Sequence, residues 1–435
     1  MTLAKSRDNR GPGRRSFVAK PLHRVLLASL VGSTIEFFDF YTYANAAVLV
    51  FPRLFFPASD PTAAMLQSLV TFSIAFFARP IGSAFFGHYG DRIGRKATLV
   101  ASLLTMGIST VVIGLLPTYA AIGTLAPLLL ALCRFGQGFG LGGEWGGAIL
   151  LATENAPPER RGWFGMFPQL GAPIGFLLSG GIFLILSNTL TDAQFADFGW
   201  RIPFLGSAVL VLVGLYVRLR IAETPAFQEA VRENRRVAVP FLAVVRSHGV
   251  ALLLGTLMAT VTFQLFYLVT VFTQSWATQA LHVPRTDCLV VQLCSVLFFA
   301  ATIPLSARLA DRFGGRETMI AVTVAILAYG LFFGALFGNG SQLQLGVCLS
   351  IGMTLMGATY GPLGSVLAAL FPTQIRYTGL SLTFNLAGVL GASLAPYIAV
   401  SLARSFDLRF VGYYLSCGAL ITLLALLAAR SRYRS

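Results

Sequence analysis

Apolar runs of about 20 residues recur along this chain from end to end, and each can cross a hydrocarbon core of about 30 Å. Lipid offers no partner to backbone N–H and C=O groups, so only helices and closed barrels span it. The runs are continuous rather than alternating, which selects helices. Of the 435 residues, 56% are hydrophobic and only 11% charged, against roughly 25% charged in a soluble globular chain. The expected fold is all-α and polytopic, with twelve transmembrane helices in two six-helix, pseudo-symmetric bundles. The spans read as roughly 25–51, 64–86, 97–116, 123–153, 162–187, 200–219, 249–273, 287–307, 317–337, 343–370, 379–403 and 410–430.

The net charge of +15 would suit a nucleic-acid partner, but its distribution does not. The basic residues sit in short clusters between apolar runs, as the positive-inside rule requires. With the N-terminal tail placed in the cytoplasm, 25 of the 32 Lys and Arg fall in cytoplasmic segments and five in outer loops (Arg53, Arg201, Arg285, Arg404 and Arg409). Arg79 and Arg134 lie inside spans. Both termini are therefore expected in the cytoplasm, in a multi-pass protein of a bacterial plasma membrane. The basic tail has no short apolar core with a cleavage site, so it does not read as a removable signal peptide.

The chain divides into a basic tail (1–23), a first bundle (24–220), a central loop (221–247), a second bundle (248–430) and a short tail (431–435). The bundles echo each other. Gly87-His-Tyr-Gly-Asp91-Arg92-Ile-Gly94-Arg95-Lys96 follows span two, and Ala307-Arg-Leu-Ala-Asp311-Arg312-Phe-Gly314-Gly-Arg316 follows span eight. Glu154-Asn-Ala-Pro-Pro-Glu-Arg-Arg161-Gly162 after span four is matched by Phe371-Pro-Thr-Gln-Ile-Arg376-Tyr-Thr-Gly379 after span ten. Such duplication is typical of secondary transporters, whose site lies between the repeats near the midplane.

Five charged residues fall inside spans, all in the first half: Glu36 and Asp39, Arg79, Arg134 and Glu144. A charge at the bilayer centre costs about 2.5–3.5 kcal/mol on insertion scales, so these groups should face a wet cavity or one another. Counting about 1.5 Å per residue, Asp39 and Arg134 meet at mid-to-outer depth. Glu36, Arg79 and Glu144 form an inner cluster, with Arg79 toward the cytoplasmic end of its span. Desolvation favours a protonated carboxyl and a nearby Arg an ionised one, so an acid moving between such surroundings would load and release a proton. Asp39, Glu36 and Arg134 are the candidates for that coupling. Arg79 would either clamp a substrate carboxylate through its donor fork or neutralise Glu144, whose glycine-rich setting suits a structural ion pair. The second half offers Gln264, Tyr267, Gln292, Tyr360 and Asn385 as a polar and aromatic substrate wall. Glycines at 136, 138, 140, 142, 143, 146 and 147 strip one face of span four, for close packing or for sliding. Pro173 in span five can kink its helix.

The motifs resemble the major facilitator superfamily. The Gly87 to Lys96 loop is similar to its signature between spans two and three, and Arg134-Phe-Gly-Gln137-Gly138-Phe-Gly140 to its span-four signature. Ile35-Glu36-Phe-Phe-Asp39-Phe40-Tyr41, Ala78-Arg79-Pro80-Ile-Gly82, Gly142-Gly143-Glu144-Trp-Gly146 and Gly199-Trp200-Arg201-Ile-Pro203-Phe204 resemble the metabolite:proton symporter branch. That branch includes permeases for α-ketoglutarate, citrate, shikimate, and proline or betaine. The resemblance implies proton-coupled uptake by alternating access, with a span-one acid paired to Arg134. It also implies a cytoplasmic gate of Gly87, Asp91, Arg92, Gly94, Arg95, Lys96, Glu154, Arg161, Asp311, Arg312 and Arg376, in which Asp91 can accept donors from a helix N-terminus. The second half departs from the family pattern in two ways: Ala369 stands where Glu is usual, and the second Asp-Arg loop lacks its leading Gly and has Gly315 where a basic residue is usual, so the second latch is expected to be the weaker.

The leading expectation is thus a symporter importing a small organic acid or zwitterion. A proton-coupled efflux antiporter of the same fold is the alternative, because the Gly171-Ala-Pro173-Ile-Gly175 pattern partly resembles exporters. A membrane-embedded enzyme or sensor is the remote one. No zinc, P-loop or nucleophile-elbow pattern occurs. The scattered cysteines, Cys133, Cys288, Cys294, Cys348 and Cys417, show neither metal nor disulfide spacing. The expected partners are therefore substrate, protons and the lipid bilayer, with no cofactor, metal, nucleic acid or obligate protein partner.

Overall fold

The computed structural model describes residues 22–57, 60–93, 95–154, 156–220, 240–338, 341–372 and 375–429; the side chains of 22–25, 90–96, 158, 220 and 240 lie outside that description. The described residues form helices and no strand. Twelve are long: α1 (Leu22–Leu49), α2 (Pro61–Ile93), α3 (Arg95–Leu115), α4 (Leu125–Glu154), α5 (Arg161–Thr189), α6 (Arg201–Arg220), α7 (Gly249–Gln279), α8 (Arg285–Phe313), α9 (Gly315–Phe337), α10 (Gln342–Ala368), α11 (Arg376–Ser405) and α12 (Leu408–Ala428). By length and composition, α2 to α12 are each able to cross a membrane. The remaining one, α1, carries Glu36 and Asp39, both buried.

The helices overrun the expected spans in places. α2 extends to Ile93 and α8 to Phe313, so the acidic loop motifs begin on helical turns. Arg79 consequently lies near the middle of α2 rather than toward one end. The end of the central loop is also helical, over Pro240–Ser247; residues 221–239 lie outside the described residues.

Burial sorts the helices into central and lipid-facing. Of the most apolar stretch of α7, 78% is buried, against 33% for α6 and for α9. Leu212 and Val209 on α6, and Phe332 on α9, are exposed large apolar side chains, as a lipid boundary requires. α5 packs on both α1 and α8, and α2 on both α4 and α11, so α2, α5, α8 and α11 join the first six helices to the last six.

Glycine permits the closest of these contacts. A Cβ on Gly138 would strike the Ala75 backbone of α2, and one on Gly142 the Arg79 carbonyl. With no side chain in the way, α2 and α4 meet backbone to backbone. Regular helix is interrupted at Gly142 and Gly143, and a broken turn leaves carbonyls that need outside donors. Ser83 Oγ and Asn385 Nδ2 (3.0 Å) donate to the Gly142 carbonyl, and the Tyr377 hydroxyl donates to that of Gly143. The break in α4 is thereby also a joint to α11. α7 and α11 each hold one π-helical turn, Leu268–Phe272 and Val389–Ser393.

Candidate functional site

The intramembrane charges converge on α1. Asp39 is fully buried, and its carboxylate accepts from two hydroxyls, Ser207 of α6 and Thr110 Oγ1 of α3 (3.2 Å). The expected ion pair with Arg134 does not form. Arg134 instead donates from Nη1 to Gln137 Oε1 (3.0 Å) and from Nε to the Phe72 carbonyl (3.2 Å). Its Cζ lies 4.3 Å from the Phe40 ring centroid and 4.0 Å from that of Tyr43. Gln137 and Thr110 stand between the two residues: Gln137 Nε2 donates to Thr110 Oγ1 at 2.8 Å.

Arg79 reaches the same level. Its Cζ lies 4.4 Å from the Phe40 centroid and 4.8 Å from that of Phe76, so the two guanidiniums share one ring and not two separate depth clusters. Cation–π contact stabilises each by about 0.5–2 kcal/mol. Among the described residues no carboxylate lies within ion-pair distance of Arg79, and its buried Nε has no hydrogen-bond partner. The neutralisation of Glu144 by Arg79, weighed from the sequence, is therefore incorrect. Glu144 pairs with Arg218 of α6, a residue that reads as a solvated loop charge in the sequence but is 7% exposed. Arg218 also donates to the Leu99 carbonyl at 2.6 Å. Glu36, 4% exposed, has no hydrogen-bond partner on its buried Oε2 and stands within electrostatic reach of Arg79 and Arg218.

Aromatic rings from both halves enclose these charges. Tyr267 of α7 packs edge-on against Phe40 and Phe76 (6.2 and 5.3 Å). Tyr41 meets Phe266 (5.4 Å) and Phe176 (5.1 Å). Tyr360 of α10 stands in electrostatic reach of Glu36, Tyr267 and Arg79. Trp145 stacks on Phe384 at 3.5 Å and 9°, and donates to Gln169 Oε1 (3.0 Å), whose Nε2 donates to the Tyr360 carbonyl (2.8 Å). Of the expected substrate wall, Arg79, Tyr267 and Tyr360 belong to this cluster. Gln264 does not: it donates to the Tyr414 carbonyl (2.9 Å) and ties α7 to α12. Gln292 ties α8 to the π turn of α7 through the Thr270 carbonyl (2.8 Å). Asn385 bonds Ser83 Oγ (2.6 Å) and the Gly142 carbonyl, so it clamps α11 to the α2–α4 joint.

Polar contacts link the halves at both ends of this centre. At the basic face, Asp311 of α8 accepts from the backbone N–H groups of Gly162 (2.8 Å) and Trp163 (2.9 Å) in the first turn of α5. Arg308 lies over Trp163 (4.4 Å), and Arg376 stands near Glu154 and Arg161. Arg312 lies over Phe313. Gly87 faces Thr378 of α11, and the side chains of Asp91, Arg92, Arg95 and Lys96, with Gly94, lie outside the described residues. At the opposite face, Arg285 pairs with Asp192 (3.0 Å), and Gln274 donates to Asn45 Oδ1 (3.3 Å).

The family profile of the Major Facilitator Superfamily matches residues 30–396. The chain belongs to the major facilitator superfamily. It is a multi-pass membrane transporter, not an enzyme, and carries the superfamily's twelve-helix fold. It is 55% identical over 410 residues to the "Inner membrane metabolite transport protein YhjE" of Escherichia coli K12, covering 93% of each chain. It is 35% identical to the "Shikimate transporter" of the same organism, covering 95% of each. A solved structure of the proton:xylose symporter XylE superposes with a TM-score of 0.74 at 16% identity, over 94% of this chain and 95% of that one, a likeness of fold alone. The metabolite permease resemblance read from the motifs thus holds.

Within this superfamily fold, sequence reasoning missed Thr110, Gln137, Ser207 and Arg218, together with the rings of Tyr41, Phe76, Trp145 and Phe384. Gln137 carried a signal in its place in the span-four signature, and Tyr41 and Trp145 in the motifs around Asp39 and Glu144; the others carried none. The side chain of Asp91, and with it the relative strength of the two latches, lies outside the described residues; its counterpart Asp311 caps α5 with two charge-assisted bonds across the halves. Such bonds contribute about 1.5–3 kcal/mol each, and the α5 dipole adds to them. Asp311→Asn is expected to raise, by about tenfold or more, the labelling of a Met166→Cys thiol by an impermeant maleimide from the basic face. Unchanged labelling would contradict a closing role.

Proposed function

We propose that this transporter imports a small carboxylate-bearing metabolite together with protons, with the basic face in the bacterial cytoplasm. The observation that carries the reading is one buried core holding two kinds of group. One is an acid cradled by hydroxyls; the other is a guanidinium with no carboxylate within ion-pair distance among the described residues. A hydroxyl donates to a carboxylate and accepts from a carboxylic acid. The Ser207 and Thr110 contacts therefore serve Asp39 in both protonation states, as a proton site must. Arg79 offers the substrate its uncommitted donors, and Tyr267, Tyr360 and Phe76 give it an aromatic enclosure. Arg79 and Asp39 come from the first half and the two tyrosines from the second, so rocking of residues 24–220 against 248–430 would open the centre to either face in turn. The shikimate transporter's name, at 35% identity, supports an organic acid as the cargo class.

Uptake of labelled organic acids into right-side-out vesicles, with and without a protonophore, tests this. Accumulation that the protonophore abolishes supports import; proton-driven extrusion would select the antiporter instead. Arg79→Gln is expected to raise KM for carboxylate substrates about tenfold or more, the loss of one charge-assisted contact, with the maximal rate less affected. Uniform loss for zwitterions and acids alike, with less protein in the membrane, would make Arg79 structural.

A further inference from the structure

Between Asp39 and Arg134 lies a chain of hydrogen bonds with one direction. Arg134 Nη1 donates to Gln137 Oε1, Gln137 Nε2 to Thr110 Oγ1, and Thr110 Oγ1 to Asp39 Oδ2, at 3.0, 2.8 and 3.2 Å. All four residues are at most 1% exposed. The direction is fixed by chemistry. A guanidinium only donates, so Gln137 must present its oxygen to Arg134 and its NH2 to Thr110. Thr110 has a single proton and two acceptors for it, Asp39 Oδ2 and the Met106 carbonyl at 3.0 Å.

We propose that Gln137 and Thr110 are positioning residues that link the Arg134 charge to Asp39 in place of an ion pair, with the Thr110 hydroxyl as the moving part. When Asp39 is ionised, every donor in the chain points from cation to anion, an alignment in which successive bonds polarise one another. When Asp39 takes up a proton, the Thr110 hydroxyl turns to the Met106 carbonyl, its oxygen can accept from the new acid, and the single direction of the chain is lost. Arg134 then keeps the Phe72 carbonyl and the Phe40 and Tyr43 rings, so it never has to leave its place. A direct ion pair would have to be torn apart in each cycle, at a cost of several kcal/mol in a buried site. The relay exchanges one hydroxyl bond for another.

The titratable and charged groups of this core are Glu36, Tyr41 and Tyr43 on α1, Arg79 on α2, Cys133, Arg134 and Glu144 on α4, Arg218 on α6, Tyr267 on α7 and Tyr360 on α10. From Thr98 to Leu115 of α3, and from Gly162 to Thr189 of α5, there is no titratable side chain. Of these groups, among the described residues, only Arg134 connects to Asp39 through hydrogen bonds.

The inference rests on Asp39 as the proton site, and three variants test it separately from that reading. In Gln137→Met the relay is cut with volume kept. The pH midpoint of uptake is expected to move to the alkaline side by about one unit, the size of one charge-assisted hydrogen bond. Thr110→Val should give the same shift and Thr110→Ser, which keeps the hydroxyl, almost none. The double variant of Gln137→Met with Thr110→Val should shift no further than Thr110→Val alone, because both cut one chain. Substrate exchange in the same vesicles confirms that each variant is folded. An unmoved midpoint in Gln137→Met, or additive shifts in the double variant, overturns the relay while Asp39 stands. Proton-driven accumulation by Asp39→Asn would remove the proton site itself.

Discussion

Asp39→Asn will lose concentrative uptake and keep exchange. The side chains are nearly the same size, and the cradle accepts the amide. Ser207 can still donate to Oδ1, the new NH2 can donate to Thr110 Oγ1, and the Thr110 proton can turn to the Met106 carbonyl, already 3.0 Å away. No buried polar group is orphaned, so little stability is lost. An amide carries no titratable proton, however. Each proton that moves down a gradient of one pH unit can drive about tenfold accumulation, since one unit is worth 1.36 kcal/mol. Without that coupling the inside-to-outside ratio falls to about one. Counterflow between labelled and unlabelled substrate needs no net proton movement and continues. Both measurements use the same vesicles, and equal retention or equal loss of the two activities would remove Asp39 from coupling.

Span number was legible because hydropathy is a local property of composition, and apolar runs of about 20 residues mean the same thing in any neighbourhood. Helix ends were less so. Asp311 reads as a loop residue, yet α8 continues to Phe313 because a helix does not stop at a membrane margin when its last turn packs on α5. Depth along the axis was legible only in part: about 1.5 Å per residue brought Asp39 and Arg134 close enough to be linked through two side chains, but set Arg79 apart from Arg134 although both lie over the Phe40 ring. Azimuth was not. Two charges at one depth read as a pair, and only the placement of α3 and α6 reveals Thr110 and Ser207 around the acid. Hydroxyls in apolar helices usually bond their own backbone four residues back, as Thr260 and Thr323 do here, so nothing marked these two. The amides of Gln264 and Gln292 misled for the same reason. An amide in an apolar span looks alike whether it faces a cavity or a neighbour's carbonyl.

The division between the halves has a physical consequence. Among the described residues every buried charged side chain belongs to the first half, and the second meets them with rings and neutral donors. Tyr267, Phe266 and Phe384 can separate from Phe40, Tyr41 and Trp145 without breaking an ion pair at the centre. The charged contacts across the halves lie at the ends instead, where Asp311 meets α5 and Arg285 meets Asp192. Water is available there when one of them opens, and an exposed pair such as Arg285 with Asp192 is worth only about 0–1 kcal/mol. A slippery centre with latched ends suits a molecule that must change its open side without trapping itself.

Arg218→Met will destabilise the protein more than any other single change considered, and more than Glu144→Gln at the other end of the same ion pair. Both partners are buried, with Glu144 2% and Arg218 7% exposed. Removing one member of such a pair costs about 3–5 kcal/mol, because the survivor is left charged and dry. The two survivors differ here. Without Glu144, Arg218 keeps the Leu99 carbonyl at 2.6 Å and has Glu36 within electrostatic reach. Without Arg218, Glu144 loses the one cation bonded to it, while its Oε2 already lacks a hydrogen bond. Replacing both, Arg218→Met with Glu144→Leu, should restore much of the loss, since an apolar pair of similar volume leaves no charge uncompensated. Thermal denaturation in detergent measures all of these, with the coupling taken from the double-mutant cycle. A buried pair that only holds α4 to α6 will show stability falling and the substrate KM unchanged in every variant that still folds. If the doubly apolar protein is stable but no longer transports, the pair belongs to the transport cycle, and Arg218 then serves Glu36 as well as Glu144.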